Sequence, residues 1–238
     1  MLKRSAFLVG MVKAVRSARE DWHRLRCYLR RLSIIRAYVR EHSVRKLQLG
    51  AGRTGLPGWL NTDVHPVGRN VAYLDATQRF PLEDDVFHYV FSEHLIEHLT
   101  YGQGLSMLRE CRRVLKPGGR LRIATPNLES IAGLLAAEGC DRRRRYIEWA
   151  IDEHIPGASA YRASFVVNNF FWDFKHLFVY DPATLSEALE SVGFVQVTRL
   201  PPGESDDEEL RRIESHGKRI GEEMNRFETM VFEAIKPL

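Results

Sequence analysis

The run Lys46-Leu-Gln-Leu-Gly50-Ala-Gly52-Arg-Thr-Gly55 decides the architecture. Its apolar residues up to Leu49 read as a short strand, and the glycines directly after it read as a turn. Glycine adopts backbone angles closed to other residues and lets the main chain approach a ligand with its amides exposed. Gly50, Gly52 and Gly55 fit the spacing G-x-G-x-x-G, which many nucleotide-binding turns share. A dinucleotide enzyme needs a helix next and an acid about 20 residues further on. Here Pro57-Gly58 follows at once, and Asp63 comes only eight residues after Gly55. The helix that would receive a pyrophosphate has nowhere to form, so a nicotinamide enzyme is disfavoured.

Outward from this turn, strand and helix signals alternate. Val44–Leu49, Trp59–Val64, Asn70–Leu74, Val86–Phe91 and Arg120–Thr125 read as strands. Helices are expected from about Glu93 to Tyr101 and over Leu105–Leu115, with Pro117-Gly118-Gly119 as the stop. Near the end, Asp181-Pro182 reads as an N-cap with proline at the first helical position, opening a helix to Val192 that stops at Gly193. Phe194–Leu200 and Phe227–Ile235 read as the last strands. Alternation of this kind predicts an α/β protein with a parallel sheet wrapped by helices.

Asp63 is expected at the end of the second strand, where a carboxylate can accept from both hydroxyls of a ribose. Asp75 follows the third, where it can accept from an adenine amino group. A glycine turn and two acids beyond the carboxyl ends of adjacent strands suit an adenosyl ligand without phosphate. Taken singly, each acid reads equally well as a turn or cap residue.

At this point the sequence resembles a known family. The ordered pieces are Leu47-Gln-Leu-Gly-Ala-Gly52, Pro57-Gly-Trp-Leu-Asn-Thr-Asp63, Asp75 with Phe80-Pro-Leu-Glu-Asp-Asp-Val-Phe87, Phe91-Ser-Glu-His-Leu-Ile-Glu-His98 and Glu110-Cys-Arg-Arg-Val-Leu-Lys-Pro-Gly-Gly119. Together they look like the class I S-adenosylmethionine-dependent methyltransferases, in a type-11-like branch with a shortened first βα unit. The resemblance implies a Rossmann-like seven-stranded sheet with its last strand antiparallel and helices on both faces. It implies S-adenosyl-L-methionine as cofactor, held by Gln48, Gly50, Ala51, Gly52, Asp63, Asp75, Ala76 and Ser92. Two positions depart from the wider family: Gln48 stands where an acid is usual, and Thr54 where a third glycine is usual.

The candidate catalytic residues are His94, Glu97 and His98. Read as the start of a helix, their spacings of three and four place them on one face. Ubiquinone-pathway and small-RNA methyltransferases carry a similar Glu-x-x-Glu-His that binds a divalent metal. His94 replaces the first of those acids, and no metal ligand is assigned here. His94 is expected to face the cleft as a general base, with Glu97 and His98 bracing the loop. The aromatic-rich insertion 127–180 is expected as a substrate lid, with Trp172 and His176 singled out. It reads equally as a small helical subdomain with its own core. The run Arg142–Arg145 reads as a solvated helix face.

Composition places these elements in one domain, 44–238, preceded by an arm. Residues 1–46 carry thirteen lysines and arginines against three acids, a local +10, while the whole chain is only +4. The body is therefore mildly acidic. Residues 1–43 hold apolar positions at helical spacing with arginines between them, so a basic amphipathic helical arm is expected. It either packs on the body or makes peripheral contact with an anionic membrane. Cys27, Cys111 and Cys140 are scattered, which suits a reducing, cytoplasmic setting, peripheral to the inner face of the membrane if the arm docks there.

The expected acceptor is a small molecule or saccharide. The branch looks like methyltransferases encoded among bacterial surface-polysaccharide genes, which points to O-methylation in polysaccharide biosynthesis. The arm lacks a recognised RNA or DNA module, so nucleic acid is not the favoured acceptor. A noncatalytic adenosyl-binding module is the remaining alternative.

Overall fold

A computed structural model describes residues 2–136 and 140–238. Met1, residues 137–139 and the side chains of residues 2–20 lie outside the description, and with them the side chains of Lys3, Arg4, Lys13, Arg16 and Arg19 of the basic arm. The chain begins with one continuous helix, α1 (Leu2–Glu41). The sheet strands are β1 (Lys46–Leu49), β2 (Leu60–Asp63), β3 (Ala72–Tyr73), β4 (Phe87–Glu93), β5 (Leu115–Pro126), β6 (Val195–Leu200) and β7 (Thr229–Ile235). Their spatial order is β3-β2-β1-β4-β5-β7-β6. β1 to β5 are parallel, and β7 inserts antiparallel between β5 and β6. This is the seven-stranded Rossmann-like arrangement that the alternation and the resemblance lead one to expect.

The central strands are apolar on both faces because helices cover both. Leu47, Leu49, Phe87, Val90, Leu121 and Ile123 are buried. α2 (Tyr101–Val114) and α6 (Pro182–Ser191) pack against each other and add Met107, Leu108, Leu185 and Leu189 to that core. Asp181 caps α6 as expected, its Oδ1 accepting from Thr184 N at 2.9 Å. No helix stands between β1 and β2, so the shortened first unit is real.

Two local expectations are corrected. The first is a helix over Glu93–Tyr101. β4 instead runs on to Glu93, paired with Ala124, and His94 N still donates to Ala124 O at 2.9 Å. His94 then turns the chain in the left-handed region (φ 46°), and only a 3-10 turn, Ile96–His98, follows. α2 starts at Tyr101, ahead of the expected Leu105, because Thr100 and Gln103 form a reciprocal capping box that fixes its first turn. The spacing of His94, Glu97 and His98 is thus not that of a helix face.

The second concerns Pro117-Gly118-Gly119, read as a stop before a strand at Arg120. β5 already pairs at Leu115 with Phe87, and an irregularity between Phe87 and Tyr89 takes up the extra residues. The insertion holds α3 (Leu128–Ala132), a 3-10 turn at Gly133–Leu135, α4 (Asp141–His154) and α5 (Ala163–Trp172). These share a second core built on Ile131, Tyr146, Ile151, Val166 and Phe170. Between β6 and β7 lie a 3-10 turn at Glu208–Leu210, α7 (His216–Ile220) and α8 (Glu222–Glu228).

Candidate active site

The glycine turn sits at the carboxyl edge of β1. Gly50 and Gly52 both have positive φ (67° and 51°). Gly50 also lies beneath Leu95: a Cβ there would come within 3.2 Å of the leucine side chain. Gly52 has open space on that side, so its backbone is uncovered. Ala51 N donates to Thr62 O at 2.9 Å, tying the turn to β2.

Asp63, the last residue of β2, faces this turn. Its Oδ2 accepts from Gly52 N at 2.8 Å and its Oδ1 from His65 N at 2.6 Å. Asp75 follows β3 on the same edge; its Oδ1 accepts from Thr77 N (2.9 Å) and Thr77 Oγ1 (2.7 Å), with Ala76 buried beside it. Ser92, near the end of β4, is paired between Leu49 and Ile123. Its Oγ is buried without a hydrogen-bond partner among the described residues. Gln48 is buried under the turn. Its Oε1 accepts from Leu56 N at 3.0 Å and its Nε2 donates to Thr54 O at 3.3 Å, so both ends of the amide brace the loop backbone.

A cavity of about 280 Å³ opens beyond β4, β5 and the start of β7. Five of the nine histidines of the chain line it: His94, His98, His154, His176 and His216. His94 Nδ1 donates to Glu97 Oε1 at 3.1 Å, and its Nε2 meets Thr229 Oγ1 at 3.2 Å. Glu97 is 0% exposed, and its Oε2 accepts from Thr125 Oγ1 at 3.1 Å. Burial opposes charge on both partners. For His94 the Glu97 bond, with Glu228 and Glu93 nearby, outweighs burial and raises the imidazole above its usual value. For Glu97 burial is likewise outweighed, chiefly by the His94 bond, and its carboxyl is held below the usual range.

Facing this pair is a second that the sequence did not reveal. His216 Nε2 bonds Glu228 Oε1 at 2.7 Å, and Tyr146 OH donates to Glu228 Oε2. The His94 and His216 rings lie 3.8 Å apart, centroid to centroid. Glu93 fixes His216 from the other side. Its carboxylate accepts from the backbone amides of Ser215 and His216 and from Ser215 Oγ, at 2.7–3.0 Å. His216 lies in a charged stretch with no local signature. Only the folded chain brings it 122 residues back, beside His94.

His98 Nδ1 donates to Lys175 O at 3.3 Å, and its ring lies edge-on to His176, 4.9 Å away. Burial pushes His176 down to about 4, so it is neutral at physiological pH; its Nδ1 is buried without a partner among the described residues. Two donor sets have ligand atoms within 4.8 Å of one another: His94, His216 and Glu228, and Glu97, His98 and His176. Both have the chemistry of cation ligands. Of the two lid residues singled out, His176 lines the cavity. Trp172 is 78% exposed at the end of α5, and Trp149, Phe170 and Phe174 form the aromatic wall instead. In the basic run, Arg145 pairs with Glu223 at 2.7 Å, Arg144 with Asp141 at 3.0 Å, and Arg142 stacks on Phe227.

Comparison with known proteins follows from this edge of the sheet. Residues 59–123 match the family model described as a methyltransferase domain. No curated protein matches the chain. Among solved structures, a SAM-dependent methyltransferase from Archaeoglobus fulgidus is 20% identical, with 86% of this chain and 94% of that one covered and a TM-score of 0.49. A counterpart from Mesorhizobium loti is 16% identical over 83% and 95%, with a TM-score of 0.48. Phosphoethanolamine N-methyltransferase 2 of Haemonchus contortus, in complex with S-adenosylhomocysteine, is 15% identical over 89% of this chain, with a TM-score of 0.48. The present chain spans only 53% of that protein.

Proposed function

We propose that this chain is a class I S-adenosylmethionine-dependent methyltransferase and that it transfers the methyl group to a hydroxyl of a small molecule or glycan precursor. The residues at the sheet edge fit the cofactor. The open backbone at Gly52 leaves room for its amino-acid tail. Asp63 presents a carboxylate beside that backbone for the ribose hydroxyls. Ser92 Oγ, buried and unpartnered, is a polar group in want of a ligand. Asp75 has one oxygen bound to Thr77, and its other oxygen is the one assigned to the adenine edge. When bound, the cofactor supplies an electrophilic methyl group on a sulfonium.

The observation that carries a hydroxyl acceptor is the pair of histidine–carboxylate couples on one cavity wall. A hydroxyl must lose its proton as it attacks, and a positioned base contributes about 10²–10⁴-fold. His94 already has both nitrogens bonded, so it serves as base only where the acceptor displaces Thr229. His216 is oriented through Nε2 by Glu228, which directs its other nitrogen to the incoming hydroxyl, as a carboxylate orients a catalytic imidazole. The aromatic wall of Trp149, Phe170 and Phe174 suits the face of a sugar or another ring and keeps water away from the transfer.

Calorimetry with S-adenosylhomocysteine tests the cofactor half. Hydrogen bonds to a carboxylate are worth about 1.5–3 kcal/mol. Asp63→Ala is therefore expected to weaken binding about 10–150-fold, and Asp63→Asn, which keeps an acceptor oxygen, less. Equal affinity in all three proteins overturns the assignment. Product analysis by mass spectrometry, with saccharide and small-molecule hydroxyl libraries and labelled cofactor, tests the acceptor half. Tight S-adenosylhomocysteine binding with no transfer to any acceptor favours a noncatalytic adenosyl-binding module, and transfer to RNA alone overturns the acceptor reading.

A further inference from the structure

Independently of the acceptor, the geometry points to α1 as a docking face for an anionic phospholipid bilayer. The half of this helix with described side chains has two unlike sides. One side packs on the body: Ile35 and Tyr38 are buried, His23 reaches Pro66 O at 3.2 Å, and Tyr28 and Arg24 lie on Tyr73. Tyr38 also donates to Lys46 O and Gly58 O, fastening the helix to the start of β1. The other side carries Trp22, Leu25, Leu29 and Leu32, spaced by three, four and three residues. This spacing aligns them in one stripe. All four are exposed, Trp22 by 69% and Leu29 by 71%. No helix of the described residues is long and apolar enough to cross a membrane, so the stripe is suited to lying on a surface.

Charge decides the occupant. Arg26, Arg30, Arg36 and Arg40 are exposed along or beside the stripe. The arm as a whole carries the +10 noted in the sequence, against a mildly acidic body. A second copy of the same helix would bring these guanidiniums together, whereas an anionic bilayer takes both the apolar stripe and the arginines. Tryptophan on such a stripe suits the headgroup boundary, where one part of the ring is dry and the other wet. At its lower end the stripe runs into a cavity of about 360 Å³ between α1 and the loop before β4. Leu32, Val39, Pro81 and Val86 line it together with three arginines, Arg36, Arg40 and Arg45, against one acid, Glu83. Apolar walls with guanidiniums beside them match an acyl chain next to its phosphate.

Flotation of the full chain with vesicles tests the inference. Binding is expected to phosphatidylcholine vesicles containing phosphatidylglycerol, with release by high salt, and not to pure phosphatidylcholine. Each arginine at an anionic surface contributes about fivefold in partition. Arg36→Gln/Arg40→Gln should therefore lower partition about 25-fold, and Leu25→Gln/Leu29→Gln at least tenfold. These four side chains are exposed, so unchanged circular dichroism and melting temperature are expected alongside. Three outcomes overturn the inference. In one, the chain stays unbound with anionic vesicles. In another, it forms a dimer that Leu25→Gln/Leu29→Gln dissolves, which makes the stripe a self-association face. In the third, it binds a polyadenylate probe with the arginines required and the leucines indifferent.

Discussion

Replacing Arg122 by methionine should both destabilise the protein and release the segment that carries His216. Arg122 lies in the middle of β5 and is 0% exposed. Its Nε donates to Glu214 Oε1 at 2.6 Å, and its Nη1 donates to Glu233 Oε1 at 2.5 Å and to Glu204 O at 2.9 Å. Nη2 also stands 2.5 Å from Glu214 Oε1, as an ion-pair contact rather than an aligned hydrogen bond. Methionine fills similar space but leaves enclosed Glu214 without its counter-charge and Glu233 with only the longer contact to Arg120 Nη1, at 3.9 Å. Breaking a buried pair this way costs about 3–5 kcal/mol. For a chain of this size each kcal/mol lowers Tm by about 2–4 °C, so a fall of about 6–20 °C is expected by calorimetry. Hydrogen exchange should rise across 203–216 before it rises in β1 or β4, because Arg122 holds Glu204 and Glu214, and this segment leads into His216. The triple variant Arg122→Met/Glu214→Gln/Glu233→Gln removes the stranded charges and should recover much of the loss. A shift of Tm under 2 °C in the single variant, or a triple variant less stable than the single, would refute the reasoning.

Further outcomes follow from the site. Gly50→Ala must adopt a left-handed angle and press on Leu95, so it should cost at least about 1–2 kcal/mol in urea unfolding and weaken S-adenosylhomocysteine binding; Gly52→Ala, with open space, should lose stability through the angle alone. Gln48→Glu restores the acid usual at this position, but a carboxylate cannot donate to Thr54 O. It should lower stability by about 1 kcal/mol or more without tightening cofactor binding, as read by calorimetry. The His94–Glu97 couple gives a stability dome. His94 is raised in the folded state, so its contribution is full below the unfolded value of about 6.5 and fades as pH rises through its folded value. Glu97 is lowered, so its contribution is present above about 4.3 and is lost as pH falls through its folded value. Tm measured against pH should flatten on the alkaline side in His94→Gln. His176 should titrate near 4 in NMR, and because the unfolded chain takes up this proton nearer 6.5, His176→Phe should lessen the loss of stability between those values.

What was legible in the sequence was local. The strand, the glycine turn and the short gap to Asp63 sit within eighteen residues, and their angles and spacing are fixed by nearest-neighbour sterics. Asp181-Pro182 is similar, since a cap and a first-turn proline act on the next three residues. The apolar pattern alone starts α2 at Leu105 and makes Glu93–Tyr101 a helix of its own, because the Thr100–Gln103 capping box that fixes the true start lies outside that pattern. The role of Gln48 was read from its counterparts, while its actual partners, Thr54 O and Leu56 N, depend on how the loop folds over it. His216 and Glu228 could not be found from spacing at all. They arrive through Glu93, Tyr146 and the Arg122 network, contacts that span 82 to 122 residues.

The reversed direction of β7 has a consequence for how such a protein can diversify. A parallel strand would end at the reactive edge and leave by it; β7 begins there, so the whole connection 201–228 arrives at the edge just before Thr229. The glycine turn proposed to hold the cofactor sits on the opposite half of the sheet, on β1 and β2. Under the proposed function, length and sequence changes in 201–228 would reshape the histidine-lined cavity while leaving the glycine turn intact, and grafting this connection between related chains tests whether it selects the acceptor.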